Sequence, residues 1–308
     1  MLGAHTKGMV RHSAELQGVL FAAEHPALVT RSFKIQLLKW IGNKQKHAEW
    51  ILANFPERFG VYFEPFLGSG GVLGVLAPQR AVAGDVFAPL MEIWQTLRRD
   101  KEGLKRQYAD RHSLIERFGK QAAYDSVLAS YNSCPNGADL AFLCRACYGG
   151  VVRFRKSDGY MSTPVGVHEP ITPAGFARRV DTWAARTRGT EFVLADFAET
   201  MARANSGDLV YCDPPYLDSQ AILYGAQSFS IERLFDSIAA CKARGVKVAL
   251  SIDGTKYSGR KLCDVRVPEG LFEREVFVDL GRSMLKRFQM DGLSLEGHEV
   301  ADRLLLTY

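Results

Sequence analysis

The sequence lacks the features that mark secreted, fibrous or membrane-spanning proteins. Only six of its 308 residues are cysteine, and its 28 glycines and 12 prolines are too few for a collagen-like chain. No apolar run approaches the roughly 18 residues that a bilayer-crossing helix needs. Residues 1–30 carry charged side chains and no clean apolar block, so we expect no signal peptide there. These absences predict a globular, cytoplasmic protein with no membrane partner.

Cysteine clusters that could bind a metal are also missing. Cys144 and Cys147 form a single C-x-x-C pair, and no second pair follows at the spacing of a zinc ribbon. The other four cysteines are scattered along the chain. We therefore predict a buried, reduced pair and no metal site.

A strong overall charge is absent too, but the small positive excess is unevenly placed. The net charge is +5, and residues 140–190 alone carry eight basic and three acidic side chains. The rest of the chain is balanced, with 31 of each sign. Such a stretch suits contact with a polyanion, or it forms a solvated surface.

Alternating strand and helix patterns predict an α/β fold. Short apolar strands are expected at residues 61–64, 81–84, 191–194, 209–212, 246–252, 274–278 and 304–308. Helices between several of these strands are typical of an open, mainly parallel sheet. Residues 100–189 interrupt the alternation, and we interpret them as an inserted domain that is largely helical, with breaks at Gly119 and at 134–137.

A β-hairpin is predicted within the insert. Residues 151–155 and 160–163 have strand character and flank a turn that ends in Asp158-Gly159. An Asp-Gly pair is a strong signal for a hairpin turn. The segment also carries three of the basic side chains of the insert.

A glycine-rich turn follows the first predicted strand. Its sequence is Glu64-Pro65-Phe66-Leu67-Gly68-Ser69-Gly70-Gly71. Glycine permits a tight turn and a close approach of the backbone to a ligand, and ligands of open α/β sheets bind at the carboxyl ends of strands. The spacing matches neither the P-loop nor the G-x-G-x-x-G dinucleotide fingerprint.

Asp85 ends the next predicted strand. A carboxylate at this place can accept hydrogen bonds from a ribose diol, or it can cap the helix that follows. The glycine turn that precedes it in the sequence favours the ribose.

The third motif, Asp213-Pro214-Pro215-Tyr216, follows the strand at 209–212. Two prolines fix the backbone and remove two N–H donors. The exit of this strand would therefore hold a carboxylate, bare carbonyls and an aromatic face in fixed positions.

These motifs, in this order, resemble the Dam-like (D12 class, alpha group) N6-adenine DNA methyltransferases, which depend on S-adenosylmethionine. The resemblance extends over residues 34–308 and includes the segments 38–44, 64–71, 83–85, 145–166, 210–216 and 302–308. It implies a Rossmann-like class I methyltransferase sheet from residues 34–99 and 190–308, with an inserted helical and β-hairpin target-recognition domain at 100–189. Residues 1–33 would be an N-terminal extension.

The resemblance also implies a role for each site residue. The cofactor-binding residues would be Trp40, Lys44, Phe66, Gly68, Ser69, Gly70, Asp85, Asp196, Phe197 and Asp213, with Asp85 at the ribose hydroxyls. The catalytic pocket would be formed by Asp213, Pro214, Pro215 and Tyr216. The DNA-binding residues would be Arg145, Tyr148, Arg153, Arg155 and Lys156. Residues 148–150 are Tyr-Gly-Gly where Dam-like enzymes carry Tyr-Asn-Gly, so recognition of GATC does not follow.

The chemistry of these residues agrees with the implied reaction. A base in a duplex must be flipped out before its exocyclic amine can be reached. Tyr216 offers a face for stacking that base, while the Asp213 carboxylate and the Pro214 carbonyl can accept its two N6 hydrogens. Positioning alone contributes ~7–11 kcal/mol to such reactions, without a metal or a covalent nucleophile. The loop at 217–229, with Tyr224 and Phe229, would close over the flipped base or form an ordinary surface loop.

Other functions stay open at the level of the sequence. The leading hypothesis is site-specific N6-adenine methylation of double-stranded DNA, by a solitary enzyme or one with a restriction endonuclease or defence-system partner. The alternatives are N4-cytosine methylation of DNA, N6-adenine methylation of RNA, and a non-catalytic DNA-binding protein on the same scaffold. A dehydrogenase would leave the Asp-Pro-Pro-Tyr motif unexplained.

Overall fold

A single sheet of seven strands forms the centre of the described part of the protein. The computed structural model describes residues 33–155, 157–215, 229–256, 266–279 and 300–308. The strands are β1 (Tyr62–Glu64), β2 (Ala81–Asp85), β3 (Thr190–Leu194), β4 (Leu209–Cys212), β5 (Lys247–Lys256), β6 (Arg274–Asp279) and β7 (Val300–Leu306). Each corresponds to a strand predicted from the sequence, with ends that differ by a few residues.

The order of the strands is β3-β2-β1-β4-β5-β7-β6. Strands β1 to β5 pair in parallel, whereas β7 runs antiparallel to both of its neighbours. The expectation of an open, mainly parallel sheet is therefore confirmed. The strand order switches between β1 and β4: β2 and β3 lie on one side of this point, and β4 and β5 lie on the other. Ligands of open α/β sheets bind at such a switch point.

The central strands are buried on both faces. Along β1 and β4 successive side chains point to opposite faces, so Tyr62 and Tyr211 enter one apolar cluster and Phe63 and Val210 enter the other. Near-continuous apolar strands are what a parallel sheet covered on both sides requires.

Helices cover the two faces. They are α1 (Ala48–Ala53), α2 (Gly71–Leu76), α3 (Ala88–Arg99), α4 (Lys101–Phe118), α5 (Lys120–Ser133), α6 (Gly137–Ala146), α7 (Pro173–Arg186), α8 (Phe197–Ala202) and α9 (Ile231–Ala243). A 3₁₀ turn (Lys44–Lys46) precedes α1. The side chain of Asn43 accepts the N–H of Gln45, and His47 leaves the helical conformation with φ −109°.

The inserted helices α4 to α7 lie between α3 and β3 in the chain. The helices break at Gly119 and before Gly137, as predicted. Their buried side chains do not form a core of their own, since they join the same apolar cluster as one face of the sheet. Trp94 on α3 and Trp183 on α7, for example, have ring centroids 5.2 Å apart.

The predicted hairpin is present, but its two segments pair through an isolated bridge instead of forming regular β-strands. Phe154 and Met161 form an antiparallel bridge, and the N–H of Arg155 donates to the Tyr160 carbonyl at 2.9 Å. Side chains take up other backbone groups of the hairpin. The hydroxyl of Thr163 accepts the N–H of Arg153, so the ladder does not extend.

Two further expectations concern the cysteines and the membrane. Cys144 and Cys147 are both buried, and neither forms a disulfide bond, as predicted. Within the ranges that the structure describes, no helix is long and apolar enough to cross a bilayer. The same ranges contain no group of three or more His, Cys, Asp and Glu residues that could hold a metal ion.

Candidate active site

A cleft opens at the carboxyl ends of β1, β2 and β4. Its empty space measures about 1010 Å³, part of it open to solvent. Each of these strands delivers a carboxylate to it: Glu64 ends β1, Asp85 ends β2, and Asp213 follows β4. Convergence of three acidic groups is a direct result of the parallel pairing, because the ends of parallel strands meet at one edge of the sheet.

The glycine turn forms one wall of the cleft. Gly70 begins α2 in the left-handed region (φ 65°), and a Cβ there would lie 3.2 Å from the ring of Trp94. A Cβ on Gly71 would lie 2.5 Å from the side-chain oxygen of Asn43. These glycines thus allow the turn to pack closely against α3 and against the segment that carries Lys44.

Asp85 organises the backbone around it. Its carboxylate accepts the N–H groups of Gly68 and Phe87, each at 3.0 Å. Burial raises the pKa of Asp85, and these backbone donors oppose the shift. A carboxylate has about four acceptor positions, so two bonds to the backbone leave acceptors for a ligand in the cleft. The helix cap considered from the sequence does not form, because α3 has Phe87 as its N-cap and no side-chain cap bond, whereas ribose binding by Asp85 stays a prediction.

Two aromatic rings flank the Asp85 side of the cleft. The centroids of Trp40 and Phe87 are 6.3 Å apart with an angle of 35° between the planes. A Cβ on Gly68 would lie 3.5 Å from the indole of Trp40, so the glycine leaves room for that ring. Both aromatic side chains are half-buried and line the cleft.

The opposite side of the cleft holds an ion pair. The Nζ of Lys44 lies 3.5 Å from Oδ1 of Asp213. The lysine side chain is only 8% exposed and the aspartate 18% exposed. A pair this sheltered is screened less by salt than a surface pair.

Glu64 is the most deeply buried of the three carboxyl groups, at 3% exposed. It accepts a hydrogen bond of 2.7 Å from the hydroxyl of Tyr62. Burial raises the pKa of Glu64 to about 8, the hydrogen bond from Tyr62 lowers it, and the negative charge of Asp213 adds to the increase. Glu64 therefore carries a proton over most of the neutral pH range while no positive ligand is near it.

Three phenylalanines form another part of the wall. Phe66 and Phe197 stack with centroids 5.1 Å apart, and Phe229 lies edge-on at 5.9 Å from each. Beside them Asp196 caps α8 and accepts a hydrogen bond of 3.0 Å from Arg233. The wall therefore offers an apolar surface next to a carboxylate, which suits a planar heterocycle with an amine.

The hairpin presents basic side chains outside the cleft. Arg153 is exposed. Arg155 is half exposed, pairs with Asp158 at 2.7 Å, and lies 4.2 Å from the ring centroid of Tyr160. These contacts hold the Arg155 guanidinium in a defined position before any partner binds.

A protein-family model confirms the family resemblance of the sequence motifs. Residues 40–276 match the model of the D12 class N6 adenine-specific DNA methyltransferases. The chain belongs to this family. Membership implies a methyl donor and DNA as the substrate, and it contradicts the dehydrogenase alternative.

Curated relatives agree with the family. The chain is 27% identical over 234 residues to the DNA N-6-adenine-methyltransferase of Escherichia phage P1, covering 72% of this chain and 30% of that protein. It is 28% identical to a DNA adenine methylase of Vibrio cholerae, covering 72% of this chain and 83% of the relative. It is 25% identical to the Type II methyltransferase M1.LlaDCHI of Lactococcus lactis, covering 69% and 79%.

Most residues predicted for cofactor binding in this D12 chain line the cleft. They are Trp40, Lys44, Phe66, Gly68, Ser69, Asp85, Asp196, Phe197 and Asp213. Gly70 is the exception, since it lies behind the turn against Trp94 and Trp183. Of the Asp-Pro-Pro-Tyr motif, Asp213 and Pro215 line the cleft and Pro214 is buried beside them. Tyr216 lies outside the described residues, as do Tyr224 and Lys156.

Arg145, a predicted DNA contact, lies in the interior of the protein instead of at its surface. Arg145 is 5% exposed, and its guanidinium donates to the backbone carbonyls of Leu37, at 2.7 and 2.9 Å, and of Gln36. An extended segment without its own backbone partners needs such donors, and a buried arginine supplies several at once. Arg145 therefore fixes the chain that leads to Trp40. Tyr148, in contrast, is 43% exposed.

The other arginines of the insert likewise either donate to backbone carbonyls or are exposed to solvent. Arg179 donates to the carbonyl of Gln36 at 2.8 Å, and Arg186 donates to the carbonyls of Gly74 and Val75. Arg178 and Arg188 are exposed. Some of the basic side chains that give residues 140–190 their positive charge thus stabilise the fold. Neither contact with a polyanion nor a solvated surface, the two alternatives from the charge count, included this role.

Two residues of the site, Glu64 and Phe87, have no role assigned by the sequence motifs. Glu64 was quoted in the glycine motif but given no role, although its place at the end of β1 was a usable signal. Phe87 follows Asp85 by two residues, and its contact with Trp40 had no signal in the sequence. Phe229, at the end of the loop at 217–229, packs on Phe66 and Phe197. Residues 217–228 lie outside the described part, so closure of that loop over the target base stays a prediction.

Proposed function

We propose that this chain is a site-specific enzyme that transfers a methyl group from S-adenosylmethionine to adenine N6 of a base flipped out of double-stranded DNA. The observation that carries this proposal is the position of Asp213. It stands at the end of β4, paired with Lys44, in the same cleft as the glycine turn and Asp85.

The residues of the cleft fit S-adenosylmethionine, which supplies a methyl group on a positively charged sulfur. The free acceptor positions of Asp85 suit two ribose hydroxyls. The Phe66, Phe197 and Phe229 wall suits the adenine, and Asp196 beside it can accept a hydrogen bond from an amine. Glu64 offers a carboxyl group that becomes negative when a cation binds near it.

Asp213 and its neighbours would orient the acceptor. The carboxylate accepts one hydrogen of the N6 amine and the Pro214 carbonyl accepts the other, so the nitrogen lone pair points at the methyl group. S-adenosylmethionine would supply the methyl group, with its sulfur keeping the electron pair of the carbon–sulfur bond, and the carboxylate of Asp213 could receive the proton that N6 loses. Lys44 holds that carboxylate in place, and Tyr216 would stack on the flipped base.

The insert at 100–189 would bring the DNA to this cleft, which belongs to the catalytic part at 34–99 and 190–308. Arg153, Arg155 and Lys156 on the hairpin would enter the major groove, where arginine pairs with guanine through two hydrogen bonds. Tyr148 and the exposed Arg178 and Arg188 would contact the same duplex, mainly at phosphates. A cytoplasmic location and a restriction endonuclease or defence-system partner remain predictions from the sequence.

Nucleoside mass spectrometry tests this proposal. Unmethylated plasmid DNA, and in parallel a total RNA sample, are incubated with the protein and S-adenosylmethionine and then digested to nucleosides. We expect N6-methyladenine in the DNA alone. N4-methylcytosine in the DNA, or N6-methyladenine in the RNA alone, would overturn the choice of substrate, and no modified nucleoside would favour a binding protein.

A further inference from the structure

The strand of the hairpin that carries the arginines has two different faces. Arg153 and Arg155 are exposed, whereas Phe154 between them is half-buried. Successive side chains of an extended strand point to opposite sides, so Phe154 faces the protein while the arginines face outward. The position of Phe154 therefore sets the backbone positions from which both arginine side chains extend.

Phe154 packs against a residue that borders the cleft. Its ring centroid lies 5.5 Å from that of Phe87, and the planes meet at 69°. Phe87 in turn lies 6.3 Å from Trp40, and its N–H donates to the carboxylate of Asp85. An edge-to-face pair of this kind contributes about 0.5–1.5 kcal/mol beyond the area it buries, so the contact has a preferred geometry.

The other strand of the hairpin is held by α5. The side chain of Asn132 donates to the carbonyl of Met161 at 3.1 Å and accepts its N–H at 2.7 Å. The hydroxyl of Tyr124 donates to the carbonyl of Thr163 at 2.6 Å. One strand is thus fixed to the insert. The strand that bears the arginines packs through Phe154 on Tyr131 of α5, with centroids 6.4 Å apart, and on Phe87 at the wall of the cleft.

We propose that Phe154 and Phe87 are positioning residues that couple the occupancy of the cleft to the position of the arginine-bearing hairpin. A ligand in the cleft beside Phe87 restricts its ring, and that ring supports Phe154. Because coupling between two sites is reciprocal, DNA on the hairpin tightens cofactor binding by the same factor. This inference rests on the proposed function, since it takes the cofactor to occupy this cleft.

Hydrogen–deuterium exchange of the full chain tests the coupling without DNA or turnover. Exchange of residues 151–165 is measured with and without S-adenosylhomocysteine, whose affinity is measured by calorimetry. In the wild type we expect the ligand to slow this exchange about fivefold or more, within the usual range of coupling between sites. Phe154→Leu should lose the slowing and keep its affinity for the ligand within about threefold, because Phe154 does not line the cleft.

Two further variants complete the experiment. Phe154→Met, whose unbranched side chain adapts better to an irregular gap, is made in parallel so that a folding defect in Phe154→Leu does not decide the result. Phe118→Leu replaces an exposed aromatic residue on α4 and should keep the full slowing. Unchanged hairpin exchange in a wild type that binds the ligand, or retained slowing in the Phe154 variants, overturns the coupling alone. Failure of the wild type to bind S-adenosylhomocysteine overturns the proposed function as well.

Discussion

The Nζ of Lys44 lies 3.5 Å from Oδ1 of Asp213, across the cleft from Asp85. Lys44 comes from the 3₁₀ turn near the start of the described chain, and Asp213 follows β4. The pair thus joins two segments 169 positions apart at the place where methyl transfer would occur. It makes Lys44 a positioning residue for the carboxylate as well as a wall of the cofactor cleft.

A double-mutant cycle tests this pair. Lys44→Met, Asp213→Asn and the double variant are compared in single-turnover methyl transfer and in thermal unfolding. Because the two side chains are in contact and sheltered, we expect non-additive effects on the free energy of unfolding, with a coupling of about 0.5–3 kcal/mol. Lys44→Arg should recover part of the transfer rate. Strict additivity in both measurements would show that the two side chains have no interaction energy.

Proton release on cofactor binding tests the state of Glu64. The carboxyl group carries a proton below pH 8 in the empty cleft, because burial raises its pKa to about 8. The positive sulfur and ammonium of S-adenosylmethionine would lower that pKa, so binding at pH 7 should release a proton. The release should vanish above pH 8, where the group is already ionised.

Calorimetry in buffers of different ionisation enthalpy measures this proton. Glu64→Gln keeps the shape of the side chain, removes its titration, and should abolish the buffer dependence at pH 7. Glu92→Gln, on α3 and away from the cleft, serves as the control and should leave it intact. A buffer dependence that survives in Glu64→Gln would assign the proton to another group.

Arg145 should matter for stability and not for sequence discrimination. Arg145→Met leaves the carbonyl of Leu37 without its buried donor, while Gln36 keeps its bond from Arg179, and we expect a loss of about 1–3 kcal/mol in the free energy of unfolding. Arg178→Met, an exposed neighbour on α7, should change stability little. The measurement is denaturant unfolding together with the ratio of methylation at preferred and other sites. A changed ratio for Arg145→Met would restore its role as a DNA contact.

The hairpin arginines should act in the opposite way. Arg153→Ala and Arg155→Ala remove exposed groups, so stability should hardly change while discrimination between DNA sites falls by about 1–3 kcal/mol per lost base contact. Asp158→Ala should produce a weaker form of the Arg155 effect, because Asp158 orients that guanidinium. The check is the methylation rate on a panel of duplexes. An equal loss of affinity for every duplex would assign these side chains to phosphates.

Much of the fold could be predicted because the signals are local. Apolar runs ended by Gly, Pro or Asp mark the strands, and each strand end that carries a motif residue becomes part of the cleft. Gly119 and the Asn136-Gly137 pair mark helix ends for the same reason. Parallel pairing then brings Glu64, Asp85 and Asp213 to one edge without further information.

What could not be predicted depends on contacts between distant segments. A charge count treats Arg145 and Arg153 alike, although one is buried against Leu37 and the other is exposed. The contact of Phe87 with Phe154 joins residues 67 positions apart. The raised pKa of Glu64 depends on how completely the fold shields it from water, which no single motif reveals.

Methyl transfer by Asp213→Ala is the decisive test of the assigned active site. Single-turnover transfer to unmethylated plasmid DNA is measured beside the binding of S-adenosylhomocysteine and of the same DNA. We predict that transfer falls by about a thousandfold or more, as expected when a group that positions the reacting atom is removed, while the affinity for DNA stays within about threefold and the affinity for S-adenosylhomocysteine falls far less than the transfer rate. Retained transfer, or loss of binding with turnover intact, would contradict the assignment of Asp213 as the catalytic carboxylate.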